Sequence, residues 1–349
     1  MRIALVILTL RAGGAERDIS RVANFLAQKH VVTLITLIST PEERPFYPLD
    51  PAIKFLPLKL SSYRRVLKHL KFDLIISYLT KANILTLLAT RGLKIPVIIS
   101  KRVDARLLPY GWFIKALRAW TYRWAALIVT QTEGIAATVK ALGVPVMVIP
   151  NAVEVPPRQV YYAEQVTTLV SIGRLDAQKD FPTLLTAFSL VHKKAPLCSL
   201  HIYGEGSEKE DLLALVARLG IETQVRFFGI THDPFRVLSE ADIFVSSTRY
   251  EGFPNALAEA MSVGLPVITS DRPENRELVC DEQNGRLFPI GKADRLAAVI
   301  EELLRDAPQR KRLGQEATKI TIRFSPQRNH ALWNEAIERA TIRGRHWSK

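Results

Sequence analysis

The residues best suited to chemistry stand in one run, Arg249-Tyr250-Glu251-Gly252-Phe253-Pro254-Asn255-Ala256-Leu257-Ala258-Glu259. It follows an apolar stretch, Ile243–Ser246, and opens a helix-length segment. Gly252 and Pro254 suit a tight turn, and Asn255 has the side chain of a helix N-cap. A helix start leaves backbone N–H groups without intrahelical partners, and with the helix dipole they attract an anion. Glu251 falls on the turn, and Glu259 about one turn inside the helix. Two readings fit that spacing: ordinary solvated carboxylates, or two groups that face one bound molecule from different ends.

A second cluster lies in the same half, Gly173-Arg174-Leu175-Asp176-Ala177-Gln178-Lys179-Asp180, after the strand-like run Thr167–Ile172. Arg174 is a planar fork and Lys179 a point charge, a combination suited to the two phosphates of a diphosphate. Surface ion pairs with Asp176 and Asp180 are the plain alternative. Tyr203-Gly204-Glu205-Gly206 closes another strand with small residues, either as a turn or where a ligand meets the backbone. Near the N-terminus, Gly13-Gly14-Ala15-Glu16-Arg17 joins a first strand to a helix but lacks the full dinucleotide-binding glycine spacing. It is a tight turn or a place for a charged group at the helix start. No two aspartates stand two apart, so an Asp-x-Asp metal motif is absent from the chain.

The elements that must position these groups alternate regularly. Short apolar runs at 2–8, 31–38, 74–78, 97–100, 127–130 and 146–149 read as strands buried on both faces, with amphipathic helices between several of them. A second series follows at 167–172, 199–203, 225–228, 243–246, 266–268 and 285–288. This predicts an α/β chain of two Rossmann-like, doubly wound parallel-sheet domains, with the ligand site in a cleft between them. Pro150, Pro156 and Pro157 mark a linker over about 151–166, which gives domains of 1–155 and 166–324. The 349 residues suffice for two cores. No apolar run is long enough to span a bilayer, and the short run at 3–10 reads as a buried strand rather than a signal peptide. Cys198 and Cys280 fit no metal spacing and suit a reduced, cytoplasmic setting.

Charge is uneven. Residues 1–165 hold 23 Lys and Arg against 10 Asp and Glu, whereas 166–349 hold 25 against 24. An acidic partner for the first half is implied, and nucleic acid, anionic lipid and a phosphorylated substrate all satisfy it. Arg106–Trp124 mixes cations with Trp112, Phe113, Trp120 and Trp124 and has no acid, and Tyr63–Lys71 is a second cationic amphipathic stretch. Such mixtures favour an anionic membrane interface; a core helix with a basic outer face is the alternative.

Taken together, these motifs resemble the retaining glycosyltransferases of family 4, which have the GT-B fold. Gly173-Arg174-Leu175 with Lys179, the Glu251…Glu259 pair around Gly-Phe-Pro-Asn, and Gly13-Gly14-Ala15-Glu16-Arg17 carry the resemblance, over nearly the whole chain and most strongly over 167–290. It implies that the first domain meets the acceptor and the second binds a nucleotide-sugar donor, commonly UDP-linked, carrying a hexose or N-acetylhexosamine. Arg174 and Lys179 would hold the donor diphosphate, Glu259 the ribose, and Glu251 with the backbone of Phe253, Pro254, Asn255 and Ala256 the donor sugar. Gly13 and Gly14 would let the first loop approach both substrates, with Gly204 beside the donor. A C-terminal helix, about 325–349, would pack back on the first domain. One departure is visible: relatives acting on lipid-linked sugars often read Ile-Ser-Glu-His where this chain has Ile99-Ser100-Lys101-Arg102. The role of that histidine would fall to Arg102 and Asp104.

The chemistry implied is transfer to a glycan or polyprenyl-diphosphate-linked acceptor at the inner face of the cytoplasmic membrane. Two cations and a helix start replace a metal, so no metal and no other cofactor is expected. A double displacement needs carboxylates ~5 Å apart, which a turn residue and a helix residue do not supply. Same-face substitution, with the leaving phosphate taking the acceptor proton, is the expected course. The rivals are a nucleotide-sugar epimerase of the same plan and a basic nucleic-acid binder. No recognition helix or RNA-binding motif is visible, so nucleic acid is not an expected partner.

Overall fold

In the computed structural model, residues 1–11, 13–38, 40, 44–102 and 110–346 are described. They form two compact units, Met1–Asn151 with Gln327–Lys349, and Ala152–Pro326. Unit one holds seven parallel strands: β1 (Arg2–Ile7), β2 (Val31–Thr36), β3 (Lys54–Pro57), β4 (Leu74–Tyr78), β5 (Val97–Lys101), β6 (Leu127–Thr130) and β7 (Val146–Val148). Their order is β3-β2-β1-β4-β5-β6-β7. Unit two holds six, β8 (Thr168–Ile172), β9 (Ser199–Tyr203), β10 (Val225–Phe227), β11 (Ile243–Ser246), β12 (Val267–Ser270) and β13 (Arg286–Phe288), in the order β10-β9-β8-β11-β12-β13. In both, the order reverses beside the first strand, between β1 and β4 and between β8 and β11. Loops on either side of such a point diverge and leave a crevice at the carboxyl ends.

The strands form where the apolar runs are. Ile3–Ile7, Leu74–Tyr78 and Leu127–Thr130 are buried throughout, as a parallel sheet with helices on both faces requires. β3 has no counterpart among the predicted strands. It is a four-residue edge strand ending in Pro57, only partly buried, and an edge is where a strand tolerates proline. The segment 133–142, helix-length in sequence, forms a short helix, Glu133–Ala137, and a single turn at Lys140–Leu142.

The stretch read as a linker packs onto unit two. The Val160 N–H donates to the Val263 carbonyl (3.0 Å), the Tyr162 hydroxyl to the Gly264 carbonyl (2.8 Å), and buried Arg310 to the carbonyls of Ala163 and Glu164 (both 2.8 Å). Prolines stop regular structure there without detaching the chain. The C-terminal helix Pro326–His346 lies on unit one, with Trp333, Ala336, Ile337 and Ala340 in the core of β1 and β4. That i, i+3, i+4, i+7 spacing is one face of a helix. No helix among the described residues is long and apolar enough to cross a membrane.

Cys198 is buried and Cys280 exposed. Burial, with the negative charge of Asp242 second, pushes the Cys198 thiol up to about 12. At pH 8 we expect Ellman's reagent to modify one thiol per folded chain and two in guanidinium; two fast thiols in the folded protein would contradict the packing.

Candidate functional site

The crevice of unit two is built by the loops after β8 and β11, and these loops are laced together. Ser247 Oγ donates to the carbonyls of Lys179 (2.9 Å) and Asp180 (2.8 Å). The Arg249 N–H (2.8 Å) and the Thr248 hydroxyl (3.1 Å) both donate to the Gln178 carbonyl. Asp180 is buried at φ +50° and receives the Thr183 hydroxyl at 2.9 Å and the Arg249 guanidinium at 3.1 Å. That hydrogen bond raises Arg249 above the ordinary arginine range and keeps it charged. Asp180 therefore pairs with Arg249, 69 residues away, and not with Lys179.

Lys179 pairs with Glu251. Its Nζ donates to Glu251 Oε1, and the side chains are 19% and 9% exposed. Gln178 Nε2 donates to the other oxygen, Oε2, at 3.3 Å and to the Tyr250 carbonyl at 3.0 Å. Arg174 is different: 65% exposed, 3.2 Å from Asp176 and 3.0 Å from Gln178 Oε1. An exposed pair of this kind contributes ~0–1 kcal/mol, so an incoming anion draws Arg174 from Asp176 at little cost. The Lys179–Glu251 pair is far less exposed, so it is screened less by solvent and held more firmly.

Glu251 and Glu259 are both buried, which excludes the solvated reading of either. Glu259 sits in the helix Asn255–Ser262. Its start differs from expectation: Pro254 takes the cap position, Asn255 is the first helical residue, and no side chain caps the end. Pro254 has non-helical backbone, and its carbonyl accepts from the Ala258 N–H at 3.0 Å. The Phe253 ring is core, edge-on to Phe324 at 5.6 Å, while Asn255 and Ala256 are half-buried.

Gly204 serves packing. It has φ +147°, and a Cβ there would lie 1.8 Å from the Gly173 carbonyl oxygen. The Gly173 N–H in turn donates to the Tyr203 carbonyl at 2.9 Å. Glycine at 204 thus lets the β8 and β9 loops touch, which sets where Arg174 and Lys179 begin.

In unit one, Gly13 caps the helix Gly14–Ala27 with extended backbone, and the Glu16 carboxylate folds back over it. Arg102 is 4% exposed, not a surface group. It pairs with Asp18, donates to Asn151 Oδ1 at 2.7 Å and lies 4.3 Å over the Tyr78 ring. The Tyr78 hydroxyl donates to Asp18 at 2.9 Å, and burial pushes its pKa well above the ordinary value. Asp104 lies outside the described residues. Of the two cationic stretches, Tyr63 and Leu67 belong to the core, whereas Trp112 and Phe113 are 79% and 60% exposed. Residues 106–109 also lie outside the described residues.

Sequence reasoning quoted Gln178 and Arg249 within their runs without giving them a role, and passed over Ser247 and Thr248. Their one sequence signal is position, directly after β8 and β11 at the point of strand reversal.

Residues 12–155 match the family model described as Glycosyltransferase Family 4, and residues 158–320 that described as Glycosyl transferases group 1. An uncharacterized glycosyltransferase of Methanocaldococcus jannaschii is 32% identical over 179 residues, 47% of this chain and 44% of that one. The chain thus spans less than half the length of that relative. The N-acetylgalactosamine-N,N'-diacetylbacillosaminyl-diphospho-undecaprenol 4-alpha-N-acetylgalactosaminyltransferase of Campylobacter jejuni is 24% identical over 344 residues, 89% of this chain and 92% of that one. Among solved structures, Anabaena HepE in complex with UDP-glucose superposes with a TM-score of 0.81 at 18% identity, covering 97% and 99% of the two chains. At that identity the likeness establishes the fold, GT-B.

We expect Gly204→Ala to cost about 3 kcal/mol or more, through the carbonyl collision and the positive φ together. An unchanged urea midpoint would show that the two loops do not meet as described.

Proposed function

The chain belongs to the glycosyltransferases of family 4, and we propose that it moves a hexose or N-acetylhexosamine from a UDP-linked donor to a glycan or polyprenyl-diphosphate-linked acceptor, with retention. The observation that carries the donor side is the convergence of Lys179, Glu251 and Arg174 at the strand reversal of unit two. The UDP-glucose bound by the Anabaena protein supports the nucleotide, and the name of the Campylobacter relative supports a diphospho-undecaprenol-linked acceptor.

Breaking a sugar–phosphate bond leaves a diphosphate with an added negative charge behind an oxocarbenium-like sugar. Groups aimed at that charge lower the barrier most, each contributing ~10²–10³ in rate. Arg174 is loosely held and turns to the diphosphate. Lys179 already lies at the crevice, and the helix Asn255–Ser262 adds the positive end of its dipole. The C1–O bond to the acceptor forms on the face from which the diphosphate departs, and the acceptor's proton passes to a departing phosphate oxygen. Glu251 orients the donor sugar, and Glu259 takes the ribose hydroxyls. No metal takes part in this scheme.

A thermal-shift screen of UDP-, GDP- and ADP-sugars tests the donor. Saturation at 100-fold over Kd adds about 2.7 kcal/mol of stability. We expect the UDP sugars to raise the melting temperature; no shift with any of the three overturns the donor reading. With the donor so found, Lys179→Ala should lower turnover by about 100-fold or more, while a chelator leaves the wild-type rate unchanged. Product formed without any acceptor would instead indicate an epimerase.

The proposed acceptor places the enzyme peripherally on the inner face of the cytoplasmic membrane. Support comes from the helix Trp112–Thr121, which exposes Trp112, Phe113 and Trp120 and carries Lys115 and Arg118 with no acid. Nearby, Arg91 stacks on Trp124 at 4.7 Å, and Arg64 donates to the Arg91 carbonyl at 3.0 Å, so three helices share this basic, aromatic surface. We expect flotation with phosphatidylglycerol-containing liposomes and its loss in Trp112→Ser/Phe113→Ser; wild-type protein that stays at the bottom of every gradient overturns membrane binding.

A further inference from the structure

Gln178 has a place in the crevice that neither charge pattern nor motif announces. Its Oε1 accepts from the Arg174 guanidinium at 3.0 Å, and its Nε2 donates to Glu251 Oε2 at 3.3 Å and to the Tyr250 carbonyl at 3.0 Å. Both sides set the amide's orientation, since guanidinium only donates while carboxylate and carbonyl only accept. The two oxygens of Glu251 are thus held one each by consecutive residues, Oε2 by Gln178 and Oε1 by Lys179. The backbone of Gln178 is pinned as well, its carbonyl receiving the Arg249 N–H and the Thr248 hydroxyl.

A diphosphate entering the crevice competes with Glu251 for Lys179. A carboxylate that is 9% exposed and has lost its cation is an uncompensated buried charge, so it must move or retain another donor. Gln178 is that donor. Its other side already grips Arg174, the cation freest to reach the same anion. Resting on the donor site proposed above, we propose that Gln178 is a positioning residue: it keeps the Glu251 carboxylate in place while Lys179 turns to the diphosphate, and it presents Arg174 to that anion.

Two substitutions separate these contacts. Gln178→Met removes both at similar length. Gln178→Glu keeps an acceptor for Arg174 but sets a carboxylate against Glu251. With UDP-glucose, or whichever nucleotide sugar the melting screen selects, we expect Gln178→Met to lower kcat by ~10–100-fold with donor KM changed less than about threefold, as misplacement of a reacting group does. Gln178→Glu should lose more, because it sets a second negative charge against the Glu251 carboxylate. The proposal falls if Gln178→Glu matches or exceeds Gln178→Met, if neither changes kcat, or if the loss merely follows a fall in melting temperature. Should no nucleotide sugar shift the wild-type melting point, the donor reading fails first. A double-mutant cycle of Gln178→Met and Glu251→Gln on urea midpoints then decides: non-additive effects support the hold on Glu251, and additive effects overturn it.

Discussion

A carboxylate taken out of water needs a partner, and much of unit two is arranged around giving one to Glu251. Lys179 and Gln178 supply it from the β8 loop, and Glu251 stands on the β11 loop. Two segments about 70 residues apart must therefore be held in register. Backbone carbonyls of 178, 179 and 180 do this by accepting from Ser247, Thr248 and Arg249. The side-chain pair and the backbone lacing support each other.

Arg174 and Lys179 are held unequally, and under the proposed donor reading the inequality suits a site that must release its product. Arg174 is mostly exposed and loosely paired, so it moves cheaply. Lys179 is largely enclosed with its carboxylate and is held more firmly.

Unit one follows the same plan with a different outcome. Around its own strand reversal, Asp18 follows β1, Tyr78 ends β4 and Arg102 follows β5, and the three form a buried group with Asn151. Here the guanidinium is fully enclosed and takes more than one partner. Its work is to join the first helix, two strands and the point where the chain leaves the unit. An enclosed arginine requires a carboxylate nearby, and Asp18 provides it.

Much of this was legible in the sequence. Twelve of the thirteen strands appear as apolar runs, because a strand covered on both faces has no alternation to hide it. The missing one, β3, is short, partly exposed and ends in proline. The residues of the two chemical clusters were legible too, since glycines, cations and carboxylates after strands mark the carboxyl end of a parallel sheet. Partners were not. Local spacing suggests Lys179 with Asp180, whereas Lys179 meets Glu251 and Asp180 meets Arg249. Gly204 reads as a ligand approach or a turn, and only the fold brings the Gly173 carbonyl against it. The chain alone determined which elements form and which residues stand at their ends, because those depend on neighbours a few positions away. Only the folded structure decided which charge faces which and which glutamate is dry, since burial and pairing depend on segments brought together across the sheet.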